Sequence, residues 1–307
     1  MIERLDRLLA KPVGVRSLGL VRILVGAIAF VHLRPFIEDA MDGRTYQDYF
    51  HHSYTSLYPE LPEKWFTALL VVGGVSAIAM SIGLFSSIAT KVTFGVVGYN
   101  LFVSTTEMHN NRAYLFIILG LLAVAPCGRA FSLDALIRRL RGQPPFEPMA
   151  PGWPLWLLRF ECASIYAASG TSKLLDPDWF SGTVTWGRLI EKEANVRANL
   201  PGGLADLVLD RDFHTFAAKV IIATELFIAT GLWWRRTRWL AVFVAVCFHI
   251  GIEYTARVQV FSYLGIAVLF IWADPKLPWL RLPKRPFGRN DNEGARANRT
   301  DRSEAVP

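Results

Sequence analysis

Eight apolar runs, each near the length needed to cross a bilayer, constrain this chain more than any other feature. They lie around 15–36, 65–88, 91–107, 112–128, 153–174, 213–234, 238–256 and 258–273, and about 20 apolar helical residues cover the ~30 Å of hydrocarbon. The expected fold is therefore all-α: a polytopic membrane helical bundle of about eight transmembrane helices, with interfacial helices between them. Composition points the same way. Of 307 residues, 52% are hydrophobic and only 19% charged, against about a quarter charged in soluble domains.

The basic residues predict orientation. Arg4, Arg7, Lys11 and Arg16 precede the first run, and Lys91 falls between the second and third. Arg138, Arg139 and Arg141 lie between the fourth and fifth, and Arg235, Arg236 and Arg238 between the sixth and seventh. Lys276, Arg281, Lys284, Arg285 and Arg289 follow the eighth. With eight spans all five groups share one side, so a cell-membrane protein with both termini in the cytoplasm is expected. The net charge of +7 is thus spread between apolar runs rather than gathered in one patch, and nucleic acid is not an expected partner.

Cys127, Cys162 and Cys247 lie in or beside apolar runs without CxxC spacing, so neither a disulfide framework nor a metal site is expected. One transmembrane domain, 1–281, is followed by a basic, polar tail, 282–307, too poor in apolar residues to fold. The Asn298 glycosylation pattern falls in that tail, on the cytoplasmic side, and is read as chance. Polar outer loops are expected at 37–64 and 175–212, the second containing an amphipathic surface helix. On the inner side, 131–142 reads as another interfacial helix, begun by Ser132 as N-cap.

A charge in hydrocarbon costs about 2–3 kcal/mol or more, so ionisable residues inside the runs are functional candidates. The fifth run carries Arg159, Glu161 and Lys173. Glu161 and Lys173 are twelve residues apart, about 18 Å along a helix, too far to pair. The sixth run holds Lys219 and, deeper, Glu225; the seventh holds His249 with Glu253 one turn on, on the same face. The fourth opens with His109-Asn110-Asn111-Arg112, and the first carries Arg22 and His32. Plainer roles stand beside these. Arg22 and Arg159 suit snorkelling anchors near the inner face, His32 a core histidine and Lys219 a bond to a neighbouring helix. Glu225 is too deep to snorkel easily, so it is expected to be paired or functional. Lys173 is either a membrane-edge anchor or a working amine. Because Lys173, His249, Glu253 and the 109–112 cluster all fall toward the outer end, from three helices, a pocket opening there is expected.

Four collinear stretches resemble one family. They are Leu18–Gly26; Asn110 to Leu115 with Ser132-Leu133-Asp134 beyond; Leu158–Leu174 followed by Asp176 to Trp179; and Phe248-His249 with Phe261-Ser262-Tyr263. Together they resemble the HTTM domain, the membrane domain shared by vitamin K-dependent γ-glutamyl carboxylase and its bacterial relatives, over about 15–275. The resemblance implies that Lys173 is the base that deprotonates a reduced, vitamin K-like quinone. In that family, reaction with dioxygen then gives an alkoxide able to remove a glutamate γ-proton, and carbon dioxide captures the carbanion. His249, Glu253, Asn110, Asn111 and Arg112 would be its catalytic companions. Tyr114, Tyr166, Phe261, Tyr263 and Glu225 would hold the quinol, and no metal is implied.

Such a base must be a neutral amine, which the apolar wall of the fifth helix favours, with Gly170 permitting close packing. Arg112 stands where the family has histidine and could serve as a permanent oxyanion donor. Nothing here corresponds to the carboxylase's large lumenal portion, so its mode of recognising protein substrates is not expected. The implied enzyme is a carboxylase-like carbon–carbon lyase or a quinol-oxidising enzyme. The alternative is a non-catalytic membrane factor for maturation or export of a secreted peptide. The expected partners are the lipid bilayer, a lipid-soluble quinol and a secreted peptide or protein. A small-solute transporter ranks last, because no internal repeat or pair of broken helices supports it.

Overall fold

The computed structural model describes residues 9–45, 58–256 and 260–273, with the backbone alone at 254–256. The tail 282–307, Arg4 and Arg7, the basic residues after 273 and the middle of the 37–64 loop lie outside the described residues. The longer helices are α1 (Arg16–Met41), α2 (Glu63–Ile82), α3 (Ser86–Phe102), α4 (Asn110–Val124), α6 (Trp153–Leu175), α11 (Arg211–Gly231), α12 (Arg238–Ala256) and α13 (Val260–Leu269), the last continued by a 3-10 turn Phe270–Trp272. Short helices are α5 (Leu133–Leu140), α7 (Pro177–Phe180), α8 (Thr183–Ile190), α9 (Glu193–Asn199) and α10 (Gly202–Leu209). A two-stranded antiparallel sheet, unanticipated from sequence, pairs β1 (Pro12–Gly14) with β2 (Met149–Pro151), Val13 opposite Ala150. It ties the starts of α1 and α6 to one end of the bundle.

Each expected apolar run thus contains a helix. Among the described residues three helices, Arg16–Met41, Glu63–Ile82 and Arg211–Gly231, are long and apolar enough to cross a membrane. Twenty-six residues in α1 and twenty in α2 give lengths of about 39 and 30 Å at 1.5 Å per residue. Helix α6 has the length but carries Arg159, Glu161 and Lys173. Apolar residues also cover the outside: Val72, Val75, Ile78 and Ile82 of α2 and Phe216 and Val220 of α11 are exposed. A helix apolar all round, with a buried stripe against its neighbours and a greasy outer face, suits hydrocarbon rather than water.

Helix α1 packs on α2, α2 on α3, α3 on α4, α6 on α11, α11 on α12 and α12 on α13. Helix α13 closes the bundle by touching α1, α4 and α6 as well. The core it encloses includes Leu18, Leu33, Leu70, Ile118, Leu158, Ile228 and Trp272.

Three expectations change. Arg22 does not snorkel; it is fully buried. Its Nη2 donates to the Phe131 carbonyl at 2.6 Å, and its Nη1 to the Met80 carbonyl at 3.1 Å and Ser86 Oγ at 3.4 Å. It therefore locks the α2–α3 corner to the segment before α5. That corner requires Gly83, whose φ is +77° and where a Cβ would fall 2.1 Å from Arg22 Nη1. Second, the expected single amphipathic helix in 175–212 is four short helices. Asp176-Pro177, Gly182 at φ +80° and Pro201 interrupt it. Third, α1 runs on through Pro35 to Met41, shortening the expected 37–64 loop. The interfacial helix at 131–142 is α5, and Ser132 caps it by accepting the Ala135 N–H at 3.1 Å.

Candidate functional site

Lys173 stands two residues before the last residue of α6, where a cation complements the helix dipole. Helical side chains lean toward the N-terminus of their own helix, so the Lys173 stem points back into the bundle and not toward the interface beyond. Nζ donates to both Glu225 oxygens at 2.8 Å and also to Ser169 Oγ, one turn earlier. Ser169 Oγ in turn donates to Glu225 Oε1 at 2.9 Å. The two side chains are only 17% and 5% exposed. The Trp179 ring covers the amine from α7, its centroid 5.1 Å from Nζ. Asp176 sets that ring by capping α7, accepting the Asp178 and Trp179 N–H groups. Gly170 brings α6 and α11 together: a Cβ there would meet Leu226 at 3.0 Å and the Glu225 Cβ at 3.2 Å.

Glu225 is thus the partner that the deep position of its helix concealed. Spacing within α6 could only exclude Glu161, whose carboxylate makes no hydrogen bond or ion pair among the described residues. Ser169, i−4 to Lys173, was missed; a hydroxyl one turn before a buried lysine is the signal that could have found it.

A second polar pair lies seven residues back along α6, on the same face. Tyr166 OH and His249 Nε2 are 2.6 Å apart and both residues are buried. Glu225 lies within electrostatic reach of Tyr166, so the two groups adjoin. His249 fits because residue 265 of α13 is glycine: a Cβ there would fall 2.2 Å from Nε2. The Phe261 ring meets His249 edge-on at 5.6 Å and Tyr114 at 5.9 Å. Three buried polar atoms on this side lack a hydrogen-bond partner among the described residues: His249 Nδ1, Glu253 Oε2 and Ser262 Oγ. Buried polar atoms are nearly always satisfied, which sets these three, on two facing helices, apart.

Other sequence candidates stand apart. Arg112 pairs with Glu107, donates to the Glu107 carbonyl at 3.2 Å and lies 5.1 Å over the Phe36 ring. Among the described residues, no bond joins Asn110, Asn111 or Arg112 to Lys173. His109 caps α4 by accepting the Asn111 N–H. Tyr263 is 52% exposed, on the outer side of α13, and is not gathered with Phe261. Arg159, half-buried, donates twice to the Ile271 carbonyl, at 3.1 and 3.0 Å, between the Trp156 and Trp272 rings, so its guanidinium is bonded to the end of α13. Lys219 lies 5.1 Å from the Phe180 ring centroid, and His32 is buried against Phe36. Among the described residues no three His, Cys, Asp or Glu side chains converge as a metal ligand set.

The family model of the HTTM domain matches residues 10–277. No curated protein and no solved structure matches the chain.

Proposed function

Since the chain belongs to the HTTM-domain family, the domain found in the membrane region of vitamin K-dependent carboxylase, we propose that it is a multi-pass membrane enzyme acting on a lipid-soluble quinol, with Lys173 as its base. In this reading the eight longer helices span the bilayer, both termini face the cytoplasm, residues 1–281 form the membrane domain and 282–307 a tail. The observation that carries the chemical part is the buried Lys173–Glu225–Ser169 cluster, roofed by Trp179.

The residues fit a reduced quinone. Trp179 and Phe261 offer aromatic faces, and Glu253 Oε2, Ser262 Oγ and His249 Nδ1 are free to meet polar groups. When bound, such a group supplies an acidic hydroxyl and two reducing equivalents. Glu225 fixes the amine, accepting from Nζ through both carboxylate oxygens at 2.8 Å, and it is the neutral amine that serves as base. Lys173 Nζ then accepts a proton, and the ammonium so formed balances the negative charge left next to it. Ser169 orients Nζ, and Tyr166 with His249 offers a second proton-carrying pair beneath.

The test uses purified protein with quinol, oxygen and bicarbonate. Quinol oxidation should fall to background in Lys173→Ala and Lys173→Arg. Wild-type rates in both variants would remove Lys173 as the base. One observation favours the non-catalytic membrane factor: Glu225 and Ser169 already occupy the Lys173 donors, as in a structural cross-link between α6 and α11. That reading gains if the wild-type protein binds no quinol.

A further inference from the structure

At the end of the bundle opposite Lys173, the α2–α3 corner and α5 enclose a half-open cleft of about 220 Å³. Ligand sites for drug-sized molecules run to ~300–1,000 Å³, so this cleft suits a compact polar group. Its wall is cationic. Arg138 donates Nε to the Pro144 carbonyl and stacks 5.0 Å over the Phe146 ring, which leaves its two terminal nitrogens directed elsewhere. Arg141 also lines the cleft, and its guanidinium makes no hydrogen bond or ion pair with any described residue.

The acid in the wall, Asp134, forms no ion pair with them. Both Asp134 oxygens are taken: Oδ1 accepts the Phe85 N–H, and Oδ2 accepts the Ser86 N–H and hydroxyl, each at 2.8 Å. The apolar part of the lining is Leu84, Phe85, Ile137 and Phe146, with Phe85 69% exposed. Phe85 is held there at a left-handed φ of +47°, a conformation that costs a non-glycine residue energy and that the Asp134 bond maintains.

We propose that this cleft binds the phosphodiester headgroup of an anionic phospholipid, with Arg138 and Arg141 on the phosphate and the acyl chains against Phe85. Two guanidiniums without carboxylate partners match a phosphate geometrically, and a basic, amphipathic helix at an apolar rim is how proteins meet an anionic leaflet. The site rests on the membrane reading but not on the chemistry of Lys173.

The experiment is native mass spectrometry of the full-length protein in a neutral detergent, with phosphatidylglycerol or phosphatidylcholine added. One phosphatidylglycerol should be retained. Arg141→Gln, an exposed change that disturbs no internal bond, should weaken it several-fold, and Arg138→Gln with Arg141→Gln by about thirtyfold, given typical per-arginine attraction to anionic lipid. Lys64→Gln at the opposite end should leave retention unchanged. Equal retention of phosphatidylcholine, or undiminished phosphatidylglycerol in the double variant, overturns the site. Displacement by millimolar inorganic phosphate shows a free-anion site instead and overturns the lipid assignment. A protein that needs detergent and oxidises quinol but shows no lipid preference loses this site alone; one soluble without detergent loses the membrane reading too.

Discussion

Replacing Glu225 by glutamine keeps the shape of the side chain and removes its charge, and the geometry sets the size of the effect. At 2.8 Å and an effective dielectric of about 20, the Coulomb attraction between unit charges is roughly 6 kcal/mol. Desolvation cancels part of this, and removing one partner of a buried pair is typically worth about 3–5 kcal/mol. Polar contacts between membrane helices are usually weaker, near 0.6 kcal/mol, because the separated helices find other partners. Here the charged, two-oxygen contact reinforced by Ser169 should win. Glu225→Gln alone, and Lys173→Met alone, should each destabilise the folded protein by about 3 kcal/mol. The double variant has no charge left to strand, so it should lose clearly less than the sum. The assay is a double-mutant cycle on reversible unfolding in mixed micelles. A coupling energy of about 2 kcal/mol or more is expected; additivity within about 0.5 kcal/mol would refute the pairing and the reasoning built on it.

Gly265→Ala should break the Tyr166–His249 contact, since the new methyl lands 2.2 Å from His249 Nε2; overpacking of this kind costs about 1–3 kcal/mol, read as a lower unfolding midpoint together with slower quinol oxidation. Arg22→Met should strand the Phe131 carbonyl, leave the Met80 carbonyl with the Gly83 N–H alone and loosen the α2–α3 corner, by about 2–4 kcal/mol, seen as loss of a monodisperse peak in size-exclusion chromatography. Tyr263→Ala, at an exposed position, should leave both stability and quinol oxidation within error of wild type; a large fall in oxidation would return Tyr263 to the site.

Much of this was legible because lipid imposes a coarse rule. Apolar length marks the helices, so every long helix lies in a run visible in the sequence, and Ser132 announces α5 through capping chemistry alone. Along α6, the importance of Lys173 was also readable, since a buried charge is expensive wherever it lies. Its partner was not. Glu225 is fifty-two residues away, and helical periodicity relates only residues on the same helix; which helix stands beside which is decided by close approaches such as Gly170 against Leu226. The same limit placed Arg22 wrongly. Near the end of its helix it had a short route to the interface, yet the Phe131 carbonyl and the α2–α3 corner came closer than water.

By itself, then, the sequence determined an all-α, membrane-type chain of the HTTM family and singled out Lys173 as a costly residue. Tertiary structure alone decided that this lysine leans inward to Glu225 and Ser169 under Trp179, that Tyr166 meets His249 in the space Gly265 leaves, and that Arg112 and Tyr263 stand elsewhere. The physical reason is one of range. Hydrophobicity and helical period act within a segment and are written there, whereas a salt bridge between helices exists only once packing has brought two distant segments within 3 Å.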